Sequence, residues 1–242
     1  MKRELNNRRN FLKLCGIVGT SLILGESMFA DQTSTTVDHL VLGISDLDHG
    51  IEWAEKNLGI RPAIGGVHPG VGTRNALLSL GHKKYLEIIA PDPDQSEFKF
   101  HLDMRKFSEP RLITWGAATN DIEVDAKKAK ESSFEIIGPR DGSRTRPDGK
   151  ILKWKTAVIT KSFGDQMLEP MPFFIQWSAD SLHPSEDSPK GCELLSFEID
   201  HPKASELIDA FKKFEIDIKV KEAKSVRLIA NLKTPKGNAL LS

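Results

Sequence analysis

A pattern of strand, helix and further strands is written twice in this chain and begun a third time. That repetition constrains the fold more than any other feature. Thr36-Val37-Asp38-His39-Leu40-Val41-Leu42-Gly43-Ile44 is a short apolar run of strand type. Ser45 or Asp46 can cap a following helix on which Leu47, Ile51, Ala54 and Leu58 recur at helical spacing, and Gly59 ends it. A Gly/Pro-rich passage, Gly65 to Gly72, comes next as a loop or a strand. Asn75–Leu80 and Tyr85–Ile89 follow as strands around a Gly81-His82 turn.

The second unit opens with Leu112-Ile113-Thr114-Trp115-Gly116-Ala117-Ala118. There Asn120-Asp121-Ile122 repeats Ser45-Asp46-Leu47, and a helix runs to about Glu131. A turn-rich stretch reaches Pro147-Asp148-Gly149, before strands at Leu152–Thr160 and Pro172–Trp177. A third, shorter unit begins at Leu194-Leu195-Ser196-Phe197-Glu198-Ile199. Its helix carries Ala204, Leu207, Ile208 and Phe211 on one face. One such module leaves half of its apolar surface uncovered, so neighbouring modules must pack on one another. The expected fold is therefore α+β: two full βαβββ modules and a partial third, forming a curved mixed sheet around a cleft. The boundaries read as paired modules over 36–177, a Ser/Pro/Asp-rich connecting loop over 178–190, and a partial βαββ module over 191–242 on the same domain. Because both modules lie in one chain, no dimer is needed to complete the cleft. Trp115, Trp154, Phe173, Phe174 and Trp177 fall on strands and read as core.

Residues 1–30 read as a targeting segment. Arg8-Arg9-Asn10-Phe11-Leu12-Lys13 precedes an apolar run from Leu14 to Leu24, too short to span a bilayer. Paired arginines before Phe-Leu-Lys resemble a twin-arginine signal. The expectation is export by that machinery to the periplasm, with cleavage after Ala30 or Ser27, or retention at the membrane by an uncleaved signal. Cys15 would leave with the segment, so Cys192 alone remains and no intrachain disulfide can form. Lys plus Arg equals Asp plus Glu at 34 each, and removing the basic leader leaves a slightly acidic domain. Such a domain has no electrostatic footprint for nucleic acid.

Val37-Asp38-His39-Leu40-Val41 before Asp46-Leu47 is similar to the opening of glyoxalase-like modules of the vicinal-oxygen-chelate superfamily. Gly66-Val67-His68-Pro69-Gly70-Val71-Gly72-Thr73-Arg74-Asn75, Tyr85-Leu86-Glu87-Ile88-Ile89-Ala90, Phe173-Phe174-Ile175-Gln176-Trp177 and His183-Pro184 resemble its glyoxalase-like subgroup. Fold follows from that resemblance more firmly than reaction does, since one fold hosts many activities.

In metal-using members, ligands come from the first and last strands of each paired module. Carried over by position, the resemblance implies a divalent metal held by His39, Glu87 and Gln176. Thr114 takes the fourth place as a poor ligand, and His68 or His183 would complete the shell only if their loops fold over the cleft. The Gly65–Gly72 stretch lacks the Lys-Ser/Thr and the following helix of a phosphate loop. His68, Arg74 and Asn75 beside it are the candidate substrate-binding residues: Arg74 for a carboxylate, Asn75 for a carbonyl. Arg144, Arg146 and Asp148 on the matching stretch of module two either rim the cleft or form only a solvated turn, and the turn is the favoured reading. Two functions stay open. One is a lyase, isomerase or dioxygenase acting on a small oxygen-rich molecule, with Glu87 as catalytic base when it is not a ligand. The other is a protein that sequesters a small ligand without chemistry, which the weak ligands of module two favour.

Overall fold

The computed structural model describes residues 36–146 and 148–242. The leader read at residues 1–30, with its twin arginines and its cleavage sites, lies outside them.

Strand β1 (Thr36–Gly43) is buried from Val37 onward. An apolar run of this kind suits a strand flanked on both sides. It lies parallel to β4 (Tyr85–Pro91) and antiparallel to β5 (Arg111–Ala118). Helix α1 (Leu47–Leu58) starts where the Asp46 carboxylate accepts from the His49 N–H, and stops at Gly59 with φ 82°. Helix α2 (Ile122–Glu131) repeats the device with Asp121, which accepts from the N–H groups of Glu123 and Val124.

β2 (Ala63–His68), β3 (Thr73–Ser79), β6 (Ile136–Thr145), β7 (Ile151–Ile159) and β8 (Phe173–Trp177) complete an eight-stranded sheet of order β2-β3-β4-β1-β5-β8-β7-β6. The halves repeat about the β1/β5 seam: each module's first strand runs parallel to its own last strand. The glycine-rich stretch from Gly65 is strand as far as His68 and turn from Pro69 to Gly72. Its strand meets the far edge of the sheet, for a Cβ at Gly66 would stand 3.0 Å from the Thr145 carbonyl and 3.2 Å from the Arg144 side chain. The sheet thus curls until its two edges touch.

Strand alternation then sorts side chains by face. On β4, Leu86 and Ile88 join the main core with Leu47, Ile51, Ala54 and Leu58 of α1. Glu87 and Ile89 face the hollow. The last unit, β9 (Glu193–His201), α4 (Ala204–Lys213), β10 (Lys219–Glu222), β11 (Arg227–Thr234) and β12 (Gly237–Leu241), forms its own sheet of order β10-β9-β11-β12. It has one closing strand more than a partial βαββ unit. Its first strand pairs in parallel with the strand after the helix, so its order differs from that of the paired modules. It seals module two: Phe197 and Phe211 meet Trp115 edge-on at 5.4 and 6.2 Å, and Phe214 meets Phe174 at 5.2 Å. Trp115 is wholly buried and its indole N–H donates to the Pro170 carbonyl at 2.8 Å. No helix among the described residues is long and apolar enough to cross a membrane.

Candidate functional site in the curled sheet

The hollow is a cavity of about 560 Å³. His39 and Glu87 approach from adjacent strands, with His39 Nε2 3.4 Å from Glu87 Oε2. The other Glu87 oxygen accepts from the Asn75 amide at 2.6 Å and lies 3.7 Å from His68 Nε2. His68 Nδ1 is 2.8 Å from the Thr73 hydroxyl, and Asn75 Nδ2 is 3.3 Å from His68 Nε2. Four residues singled out in the sequence, His39, His68, Asn75 and Glu87, thus form one cluster on the cavity wall.

Behind it lies a buried carboxylate. Asp38 Oδ1 is 2.6 Å from His39 Nδ1. Its other oxygen takes the Trp177 indole N–H at 3.0 Å and stands 3.1 Å from His183 Nε2. His183 Nδ1 accepts from the Ser185 N–H, so its proton sits on Nε2 and points at Asp38. Burial alone would raise the Asp38 carboxyl, but hydrogen bonds from His183 and His39 outweigh it and hold the group below the usual carboxylate range. With Nδ1–H committed to Asp38, His39 Nε2 is left facing Glu87 Oε2 at 3.4 Å. Asp38, His39 and Glu87 thus stand in a row that ends at the cavity wall. The 178–190 segment read as a connecting loop carries α3 (Pro184–Asp187) and brings His183 into this network.

The His39 ring stacks on Tyr85 at 4.5 Å between centroids and meets Phe173 edge-on at 5.2 Å. Its remaining side is closed by Gly116, where a Cβ would stand 2.5 Å from His39 Cε1 and 2.8 Å from Nδ1. The ring is pinned by Asp38 and Tyr85 and has nowhere to retreat. Gly116→Ala is therefore expected to destabilise the protein by about 1–3 kcal/mol, as overpacking does, measured by denaturant unfolding against wild type.

Several sequence expectations are corrected. Gln176 does not face the cavity: on β8 its neighbours Ile175 and Trp177 do, while Gln176 turns to α2. There it accepts from the Ile122 N–H at 3.0 Å and donates to the Asn120 carbonyl at 2.9 Å. Arg74 alternates with Asn75 on β3, so its guanidinium lies outside the cavity, 3.8 Å from Asp48. Arg144 does line the cavity; it is 4 % exposed and lies on β6, so for it the cleft reading holds and the favoured solvated turn does not. Arg146 fits the turn reading better, pairing with Asp148 and Asp187. Tyr85 was missed as a site residue. Trp154, Phe173 and Trp177, read as core, line the cavity instead, while Phe174 and Trp115 are core.

The donors do not fit the divalent metal that the resemblance implies. Module one offers His39 and Glu87; Gln176 is bound to α2, and Thr114 is buried without lining the cavity. Among the described residues no group of three or more His, Cys, Asp or Glu side chains is arranged to hold a metal ion. The third nearby donor, His68 Nε2, already faces the Asn75 amide N–H.

Burial pushes the His68 imidazole below its ordinary 6.5; the Glu87 charge works against this, and those of Arg144 and His39 add to it. The unfolded chain therefore takes up this proton more readily than the folded one. The stability due to neutral His68 is complete above about pH 6.5 and is lost as pH falls toward the folded value. Denaturant unfolding at pH 7.5 and pH 5 should show a drop in wild type and a smaller one in His68→Asn; equal drops would contradict this.

A family model described as a glyoxalase-like domain matches residues 37–214. The chain belongs to the glyoxalase-like domain family. A hypothetical protein from Staphylococcus aureus shares the fold at TM-score 0.64 and 18% identity, over 83% of this chain and 92% of that one. Methylmalonyl-CoA epimerase from Mycobacterium tuberculosis is similar at TM-score 0.40 and 18% identity, over 62% and 92%. A single-residue variant of the epimerase from Streptomyces coelicolor, in complex with 2-nitronate-propionyl-CoA, reaches TM-score 0.43 at 15% identity, over 61% and 100%. No curated protein matches by sequence. This glyoxalase-like domain keeps the module-one cluster that its sequence announces. Its module-two wall carries Arg144, Trp154, Phe173 and Trp177, and neither Thr114 nor Gln176.

Proposed function

We propose that this glyoxalase-like protein is an isomerase- or lyase-type enzyme that moves a proton on a small, oxygen-rich molecule, with Glu87 as the base. The observation that carries the reading is the buried Asp38–His39–Glu87 chain ending at the cavity wall. A C–H next to a carbonyl gives its proton to Glu87 and the charge moves to the carbonyl oxygen. Tyr85 lines the same cavity. Burial first, then the charges of Asp38 and Glu87, push its phenol up, so it stays protonated and can donate to that oxygen. His39 can take the proton on from Glu87 and return it, and Asn75 holds the carboxylate in place. The twin-arginine leader supports a periplasmic setting for this chemistry.

The test is incubation of the purified protein with small 2-oxo and 2-hydroxy acids in D₂O, following by proton NMR the loss of the C3–H signal of the oxo acids and the C2–H signal of the hydroxy acids. Catalysed exchange is expected. Saturable binding across the panel with no exchange would replace the enzyme by a sequestering protein. Metal content is measured on the same preparation. Near-stoichiometric metal, removed by both His39→Ala and Glu87→Ala, would overturn the metal-free route.

A further inference from the structure

Arg144 is a buried cation without a counter-ion in contact. It is 4 % exposed, lines the cavity, and makes no hydrogen bond or ion pair among the described residues; its Nη1 is wholly enclosed. The guanidinium packs against the bare backbone of β2, where a Cβ at Gly65 would stand 2.9 Å from Nη1. Burial pulls its pKa down from the ordinary arginine value, with the charges of Glu87 and Asp187 opposing from a distance. Those groups are taken: the Glu87 oxygens face Asn75, His39 and His68, and the neighbouring Asp187 pairs with Arg146. A buried charge left without a partner is strongly unfavourable. Its retention on the wall of an open cavity calls for an anion from outside the chain.

We propose that Arg144 is the anion subsite of this cavity and takes the carboxylate of a small organic acid. Glu87 faces the same hollow. A guanidinium fork matches one carboxylate in bidentate fashion. A phosphate dianion suits the place less, because the cavity wall carries Glu87 and Asp141 with only one other arginine, the exposed Arg140. Trp154 and Trp177 line the cavity too, so their fluorescence reports on its filling. The inference rests on the reading that this cavity is the working site, and it defines the substrate as an acid anchored at one end and deprotonated at the other.

The experiment titrates acetate, its neutral counterpart acetamide, and inorganic phosphate at constant ionic strength, reading tryptophan fluorescence and melting temperature. Acetate is expected to bind saturably and raise the melting temperature, and acetamide to do neither. Arg144→Met is expected to lose at least tenfold in acetate affinity, yet to melt no lower than ligand-free wild type, since it removes an uncompensated charge. Arg144→Lys keeps the charge without the fork and should bind acetate several-fold more weakly. Equal binding of acetate and acetamide, or undiminished acetate affinity in Arg144→Lys, overturns the proposal. Tighter binding of phosphate than of acetate overturns the carboxylate assignment. Glu87→Gln separates the two claims. Acetate binding retained there, with no exchange by wild type on any acid, sinks the catalytic reading alone. Exchange by wild type without acetate binding sinks the subsite alone.

Discussion

Glu87→Gln is expected to slow proton exchange by about 10²–10⁴-fold, the usual weight of a positioned general base. The substitution is nearly isosteric and keeps an acceptor for the Asn75 amide, which donates to Glu87 Oε1 at 2.6 Å. It removes the negative charge and the site that receives the proton. The effect should fall on the rate at saturating acid rather than on affinity, because the carboxylate of the substrate is held at Arg144. Exchange within about twofold of wild type would show that another group takes the proton. A parallel loss of melting temperature would instead show that Glu87 is needed to hold the wall together.

Asp38→Ala should have the largest effect on stability, a loss of about 3–5 kcal/mol, as when one partner of a buried charged network is removed. Three groups from three parts of the chain converge on this carboxylate: the neighbouring His39, Trp177 on β8, and His183 in the segment after it. All three would be left as buried or part-buried donors with nothing to receive them. Asp38→Asn keeps one acceptor but turns an amide N–H toward a donor, so a smaller loss is expected. The contribution has a pH signature. The folded carboxyl is held below its unfolded value, so the stability is present above about pH 4 and is lost as pH falls through the folded value. Chemical denaturation of the three proteins measures this. A loss under about 1 kcal/mol in Asp38→Ala would mean that water replaces the carboxylate at no great cost.

The two helix caps and the strand runs were legible because each has a local cause: Asp46 and Gly59 bracket α1, and Asp121 opens α2. Strand alternation by itself puts Glu87 on the face opposite Leu86 and Ile88, and that face is the cavity wall. The errors share one origin. Where both faces of a strand are apolar, period two separates the residues into two sets without saying which set meets the cavity. On β8 the set Phe173, Ile175 and Trp177 lines it, and Gln176 goes with the core residue Phe174 toward α2. Arg74 and Asn75 were read together as substrate-binding residues beside the glycine-rich stretch; with β3 running through both, only one can face inward. Arg144 was hidden because glycines and a proline around it suggest a turn. Of these, Gly142 serves close packing, leaving room for the Trp154 indole, and on β2 Gly65 leaves room for Arg144 itself. The buried network around Asp38 depends on His183, 145 positions away, and no local rule reaches that far.

The closure of the curled sheet has a mechanical side. β1 and β5 join the two modules through a hydrogen-bonded ladder, whereas β2 and β6 stand at opposite ends of the strand order and meet by side-chain and backbone packing around Gly66. The molecule is hinged on one flank and merely latched on the other. Widening the hollow at that flank breaks no ladder; it separates two surfaces, one of which carries Arg144, and loads the ties that the 178–190 segment makes to β3 and to Arg146. An acid that grips that arginine would hold the latch shut from inside, and its departure would free it to open.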